Sequence, residues 1–226
     1  MKTKKIILLT LSFILTVSIN AQDFKFGVTG GMNLNSITNN ENKIGYNVGV
    51  KGEYFFKEDK GLYLDMGIMV TNKNWETPYY YNIEDNSASR WNANPHYLNI
   101  PIHIGYMMPL SKKVSVFVNA GPYLGIGLFG KYNMTTGNTN TTVANNIFND
   151  YLKRFDYGIG GKIGIEYAKH IQLSVGYDWG LKNLKTNMYP MDYKNRSFEI
   201  SCTYIYSNNK TKLIKAPLYM NYDAFI

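Results

Sequence analysis

Along most of the chain, apolar and polar residues alternate with a period of two, the pattern of strands with two unlike faces. Eight such segments lie between Gly, Asn, Lys or Pro clusters: Asp23–Ile37, Ile44–Phe56, Gly61–Thr71, His96–Met108, Val114–Tyr132, Lys153–Ala168, Ile171–Leu181 and Arg196–Tyr206. One parity carries no charge in any segment; Leu98, Ile100, Ile102, Ile104 and Tyr106 are typical of it. The other carries Lys25, Lys51, Glu53, Asp65, His103, Lys131, Arg154, Asp156, Lys162, Glu166, Asp178 and Glu199, with Gly, Asn, Ser and Thr between them. After the first 22 residues no window offers a long apolar run, and none shows the three-and-four spacing of an amphipathic helix.

Alternation alone fits two architectures. A soluble barrel turns its apolar parity inward, whereas a membrane barrel turns it to lipid and keeps the polar parity in the lumen. Three features select the second. The segments run 11 to 19 residues, against a usual five or six for a strand and about 9 to 11 for a tilted span. Tyr and Trp gather near segment ends (Tyr46, Tyr54, Tyr106, Tyr157, Tyr167, Tyr177, Trp179, Tyr204, Tyr206), where an interfacial girdle lies. After the first connection, short and long ones alternate: Lys57–Lys60, Pro109–Lys113 and Lys169–His170 are tight, while Asn72–Pro95, Asn133–Leu152 and Lys182–Asn195 are long. The sequence therefore predicts an all-β, eight-stranded antiparallel up-and-down transmembrane β-barrel, with both ends of the barrel on its tight-turn, periplasmic side.

The amino-terminal segment sets the compartment. Lys2, Lys4 and Lys5 precede an apolar stretch from Ile6 to Ile19, and Ala21 follows it. These are the parts of a cleaved signal peptide, residues 1–21, and the stretch is shorter than the roughly 20 residues of a spanning helix. Residues 22–206 then form the barrel domain and residues 207–226 a periplasmic tail. Loss of the three leader lysines takes the formal charge from +8 to +5. The remaining cations are dispersed rather than clustered on one face, which excludes a nucleic-acid footprint.

Eight strands enclose a lumen just wide enough for side chains to fill. By parity it holds five cations (Lys25, Lys51, Lys131, Arg154, Lys162) and six anions (Glu53, Asp65, Asp156, Glu166, Asp178, Glu199). Near balance predicts a paired structural network that plugs the lumen rather than a one-sign selectivity ring, because unpaired charges in a narrow lumen are costly. No catalytic, cofactor or metal site is expected. His96, His103 and His170 are too scattered to share a metal, and Cys202 stands alone on the lipid parity. The glycines at Gly158, Gly160 and Gly161, and those from Gly121 to Gly130, continue strands instead of opening helices. They read as room for bulky lumenal neighbours rather than a phosphate loop. The long loops carry Trp75, Tyr79, Tyr80, Tyr81 and Trp91, then an Asn/Thr-rich stretch, Thr135–Asn146. These read first as solvated surface loops and second as an adhesive surface for protein or glycan.

Several motifs resemble the PorT-like outer-membrane β-barrel family of Bacteroidetes-type bacteria: Tyr97–Tyr106, Ala120–Lys131, Arg154–Tyr167, Gly176–Leu184 and Asn195–Tyr206. The resemblance spans about residues 22–206 and implies the bacterial outer membrane, with outer-membrane lipid and the barrel-assembly machinery as partners. It also implies an ending on an aromatic such as Tyr206; here Ser207–Ile226 follows, a tail suited to docking another envelope protein or plugging the lumen mouth. Pro101 and Pro122 fit the family pattern and predict a bulge or distorted pairing. The function expected is non-catalytic: envelope structure or assembly, surface export or adhesion, by a monomer. The alternatives are a small channel or transporter, and a lipid- or peptide-processing enzyme with its site at the loop rim.

Overall fold

The computed structural model describes residues 24–37, 41–56, 61–83, 86–186 and 192–206. The predicted signal peptide, the tail and the turn Lys57–Lys60 lie outside the described residues. Eight long strands form the barrel: β1 (Phe24–Ile37), β2 (Glu41–Phe55), β3 (Leu62–Asn72), β7 (His96–Pro109), β8 (Val114–Phe129), β11 (Phe155–Tyr167), β12 (Ile171–Gly180) and β13 (Asn195–Tyr206). Each pairs antiparallel with its neighbours in chain order, and β1 pairs with both β2 and β13, which closes the cylinder. Closure leaves no free edge among the barrel strands.

The pleat sets the two faces. Along β13, Phe198, Ile200, Cys202, Tyr204 and Tyr206 are exposed on the outer wall, while Ser197, Glu199, Ser201, Thr203 and Ile205 are buried inside. The mid-height row Val118, Ile163, Val175, Ile200 and Met32 runs across five adjacent strands. Aromatic rows flank it, including Tyr157, Tyr177 and Trp179 toward the long loops and Tyr106, Tyr167 and Tyr204 toward the tight turns. From Tyr157 to Tyr167 the strand rises roughly 33 Å, which at a tilt of about 40° spans about 25 Å, the height of an outer-membrane apolar band.

The tight ends are built from local chemistry. Between β7 and β8, Ser111 Oγ accepts from the Val114 amide at 3.1 Å. Between β11 and β12 the chain reverses with Ala168 at φ 51° and Lys169 at φ 64°, left-handed values that the short return demands.

Prolines leave the register intact and delete rungs. The β3–β7 ladder jumps from Met66↔Ile102 to Met69↔Asn99 around Pro101, and β7–β8 jumps from Pro101↔Tyr123 to Ile104↔Ala120 around Pro122. The result is distorted pairing without a bulge, because a missing N–H removes a bond but adds no residue.

Tyr79, Tyr80, Tyr81 and most of residues 135–146 are solvent-exposed as expected, but Trp75 is buried and the first two long connections carry structure of their own. They hold β4 (Trp75–Glu76), β5 (Tyr80–Asn82), β6 (Ser87–Ala93), β9 (Tyr132–Thr136), β10 (Thr139–Ala144) and one helical turn, α1 (Ile147–Asp150). Glu41 and Asn42 at the start of β2 pair with β4, and the sheet continues through β6 and β9 to β10. Asn146 caps α1, its Oδ1 accepting from the Phe148 amide at 3.1 Å. Beneath this sheet lies a core drawn from all three connections: Trp75, Ala93, Tyr132, Ile147, Phe148, Leu152, Leu184 and Tyr193, with Ile37 and Tyr97 of the barrel.

Candidate functional site: the lumen and its cap

The inward parity brings together a continuous polar chain at the tight-turn end. Lys25 Nζ lies 3.1 Å from Glu166 Oε2. Gln172 Nε2 donates to that same oxygen at 2.9 Å and to Glu53 Oε1 at 2.8 Å. Lys51 Nζ then sits 3.1 Å from Glu53 Oε1 and 3.0 Å from Asp65 Oδ2, and donates to Gln172 Oε1 at 3.2 Å. Asn119 Nδ2 donates to Asp65 Oδ2 at 2.7 Å, and its Oδ1 lies 3.1 Å from His103 Nδ1. One connected path thus crosses β1, β11, β12, β2, β3, β8 and β7. On β13, Glu199 pairs with Lys162 and accepts from Asn47 Nδ2 at 3.3 Å. Asp178 is buried on the same inner wall.

Toward the cap, Asp156 is fully buried. Its Oδ2 accepts from Asn195 Nδ2 at 2.8 Å and from the Tyr123 hydroxyl at 3.4 Å, and lies 3.5 Å from Lys73 Nζ. That ammonium also stands 4.7 Å from the Tyr123 ring centroid and 5.3 Å from that of Tyr97. A second buried carboxylate, Glu76, meets Lys43 and Arg90 within the cap.

Two expected members of the network lie elsewhere. Lys131 is exposed, because β8 has already ended at Phe129. Arg154 is exposed just before β11, with Nη1 donating to Gly127 O at 3.1 Å and Leu128 O at 3.3 Å. Neither sits in a pleat, so parity has no hold on its direction. Lys73 takes an inward place that strand parity, stopped at Thr71, did not extend to. Among the described residues the lumen therefore holds four lysines against six carboxylates, and amides of Gln172, Asn119, Asn47 and Asn195 add donors at Glu53, Glu166, Asp65, Glu199 and Asp156.

Glycine makes this filling possible. A methyl at Gly158 would fall 2.6 Å from the Tyr123 ring, and one at Gly164 2.5 Å from Phe117. These bulky lumenal rings lie directly against glycine backbone. A cavity between Thr29, Lys51, Asp65, His103, Lys162 and Ser201 measures about 20 Å³, room for roughly one water.

The three histidines have separate partners and do not meet one another. His103 meets Asn119, His170 Nδ1 lies 3.0 Å from Ile205 O, and His96 Nε2 lies 3.1 Å from the Tyr46 hydroxyl and 3.2 Å from Asn72 Nδ2. Among the described residues no group of three His, Cys, Asp or Glu has metal-binding geometry. On the cap, a groove of about 320 Å³ is lined by Tyr80, Tyr81, Ser87, Ser89, Trp91 and Thr136 among others.

An apolar outer wall of bilayer height around a paired, charged lumen defines an integral outer-membrane β-barrel. The chain belongs to the outer membrane protein beta-barrel domain family, whose profile matches residues 20–186. No curated protein matches the sequence. It is similar in fold to Neisserial surface protein A, at 13% identity over 81% of this chain and 96% of that one, with a TM-score of 0.43. Ail, the attachment invasion locus protein of Yersinia pestis, shares 11% identity over 81% and 99% of the two chains, with a TM-score of 0.37. The outer membrane enzyme PagL shares 10% over 78% and 97%, with a TM-score of 0.44.

Proposed function

We propose that this protein is a non-catalytic, plugged barrel that serves as a rigid membrane mount for its cap. The cap faces the cell exterior, and the role is envelope structure or assembly, surface export or adhesion. The observation that carries this reading is the lumen, where ion-paired side chains surround a cavity with room for about one water and an aromatic core covers the long-loop end. A rigid mount with an aromatic, hydroxyl-lined groove suits contact with protein or glycan. The motifs from Tyr97–Tyr106 to Asn195–Tyr206 support a PorT-like member from a Bacteroidetes-type bacterium.

Planar-bilayer recording of the purified full chain tests the plug. Absence of single-channel steps is the expected result, and reproducible steps would replace the mount with a small channel. Pull-down from intact envelope, with and without Ser207–Ile226, tests the assembly role. The full chain should retrieve an envelope partner, and retrieval by neither form would remove that role.

A further inference from the structure

The outer wall at the long-loop end is chemically lopsided. Across the ends of β11, β12 and β13 the described residues include Lys153, Arg154, Lys182, Lys185, Lys194 and Arg196, against Asp150 and Asp192. Asp192 is taken by Lys185 at 3.3 Å. Elsewhere at this end Lys43 and Arg90 share the single carboxylate Glu76, and Lys131 is exposed beyond β8. Among the described residues the larger excess of positive charge thus lies at the ends of β11, β12 and β13.

Two of these cations rest on the aromatic girdle itself. The Arg196 guanidinium lies 4.8 Å from the Trp179 ring centroid. Lys182 Nζ stands 5.6 Å from the Tyr157 ring and 5.9 Å from Phe155. Trp179, Tyr157 and Phe155 are all exposed on the outer wall. Arg196 and Trp179 are register partners on adjacent strands, and the Lys182 amide donates to Tyr157 O at 3.3 Å. By strand spacing and rise, the two cationic residues are rooted roughly 11 Å apart. Among the described residues neither meets a carboxylate at ion-pair distance. Arg196 Nη1 donates to Gly180 O at 2.7 Å and Asn195 O at 3.0 Å, which leaves three guanidinium N–H groups for another acceptor.

We propose that this ledge, Lys182 and Arg196 above Trp179 and Tyr157, binds the phosphorylated headgroup of a membrane lipid. The height selects a lipid rather than a soluble anion. Girdle aromatics sit at headgroup level, so an acceptor reaching these cations has its acyl chains along the apolar wall formed by Ile159 and Val175 below. Guanidinium and ammonium are the donors that phosphate oxygens pair with most strongly. The inference holds whichever leaflet meets the long-loop end.

The chain's three tryptophans provide the readout, because Trp75 and Trp91 belong to the cap and only Trp179 lies on the lipid wall. The full-length protein is reconstituted in phosphatidylcholine vesicles containing a minor fraction of bromine-labelled phosphatidic acid or, in parallel, bromine-labelled phosphatidylcholine. Quenching of Trp179 then reports which lipid occupies the ledge. A cation at the membrane surface enriches an anionic lipid about fivefold, so wild type should prefer the phosphatidic acid by at least that factor. K182A/R196A should bring the ratio near one, while K182R/R196K keeps the preference. K112A/K113A, at the tight-turn end, should leave it unchanged. Equal quenching by the two lipids in wild type, or a preference that survives K182A/R196A in protein with the wild-type circular dichroism spectrum, would overturn the proposal. So would loss of the preference in inorganic phosphate but not in sodium chloride of equal ionic strength, which would mark a soluble-ion site.

Discussion

Replacing Lys51 with Met removes the charge that joins two buried carboxylates while preserving most of the side-chain volume. The ammonium lies 3.1 Å from Glu53 Oε1 and 3.0 Å from Asp65 Oδ2, and the Lys51 side chain is only 11% exposed. Removing one partner from a buried pair costs about 3–5 kcal/mol, since it leaves an uncompensated charge. Here two carboxylates lose their shared cation, but each keeps an amide donor: Gln172 at 2.8 Å from Glu53 and Asn119 at 2.7 Å from Asp65. Those retained bonds keep the loss near one pair's worth, so Lys51→Met should destabilise the barrel by about 3–5 kcal/mol. The assay is reversible urea unfolding from lipid vesicles, followed by tryptophan emission. The decisive comparison is K51M/E53Q/D65N, in which no stranded charge remains and stability should return to within about 1 kcal/mol of wild type. A K51M loss below about 1 kcal/mol, or a triple variant no more stable than K51M, would refute the network as the organiser of the lumen.

Three further outcomes follow from other levels of the structure. Ile163→Arg places a charge in the mid-height apolar row and should cost about 2–4 kcal/mol in the same unfolding assay; a neutral result would mean that this row does not face hydrocarbon. Trp75→Ala empties the centre of the cap core at a cost of about 3–5 kcal/mol, which should appear as faster trypsin cleavage at Arg90 and Lys131 with the barrel's circular dichroism unchanged. Asn183 Nδ2 and Lys185 bind the Asp192 carboxylate and hold its pKa below the usual value. Its contribution is present above the ordinary carboxylate pKa and fades as pH falls through the lowered one; Asn183→Ala should move its NMR titration back toward the ordinary value.

The barrel was legible because a closed sheet in lipid leaves period two as its only consistent pattern. Lys51, Glu53, Asp65, Glu166 and Glu199 lie mid-pleat, where parity and direction are the same statement. Lys131 and Arg154 sit beyond strand ends, where that equivalence lapses and a counted parity says nothing about direction. Lys73 shows the opposite error. It continues the inward series Tyr63, Asp65, Gly67, Met69 and Thr71, so extending β3 by two residues would have found it. Its partner Asp156 is remote in sequence, and nothing local announces the pair. The cap core left a fainter trace: Trp75, Tyr132, Phe148 and Tyr193 are more aromatic surface than a solvated connection needs, but their contacts span three separate loops.

The lumenal charges also bear on how the chain reaches its membrane. The outer wall must be apolar, so an apolar lumen would make every strand a continuous hydrophobic run, prone to stall in transit or aggregate in water. Filling the inner parity with Lys, Glu, Asp and Asn instead keeps the mean hydropathy at −0.27. The cost is a buried polar interior in which each group needs a partner. Those partners come from different strands: Lys25 of β1 reaches Glu166 of β11, and Asn47 of β2 reaches Glu199 of β13. Such pairs can form only when the strands have closed around the lumen in register. The network therefore discriminates among strand registers, which the outer wall does not, because one apolar residue faces lipid as well as another. Lys73 extends that discrimination to the cap, since its ammonium reaches Asp156 and the rings of Tyr97 and Tyr123 only with the first long connection folded over the barrel mouth.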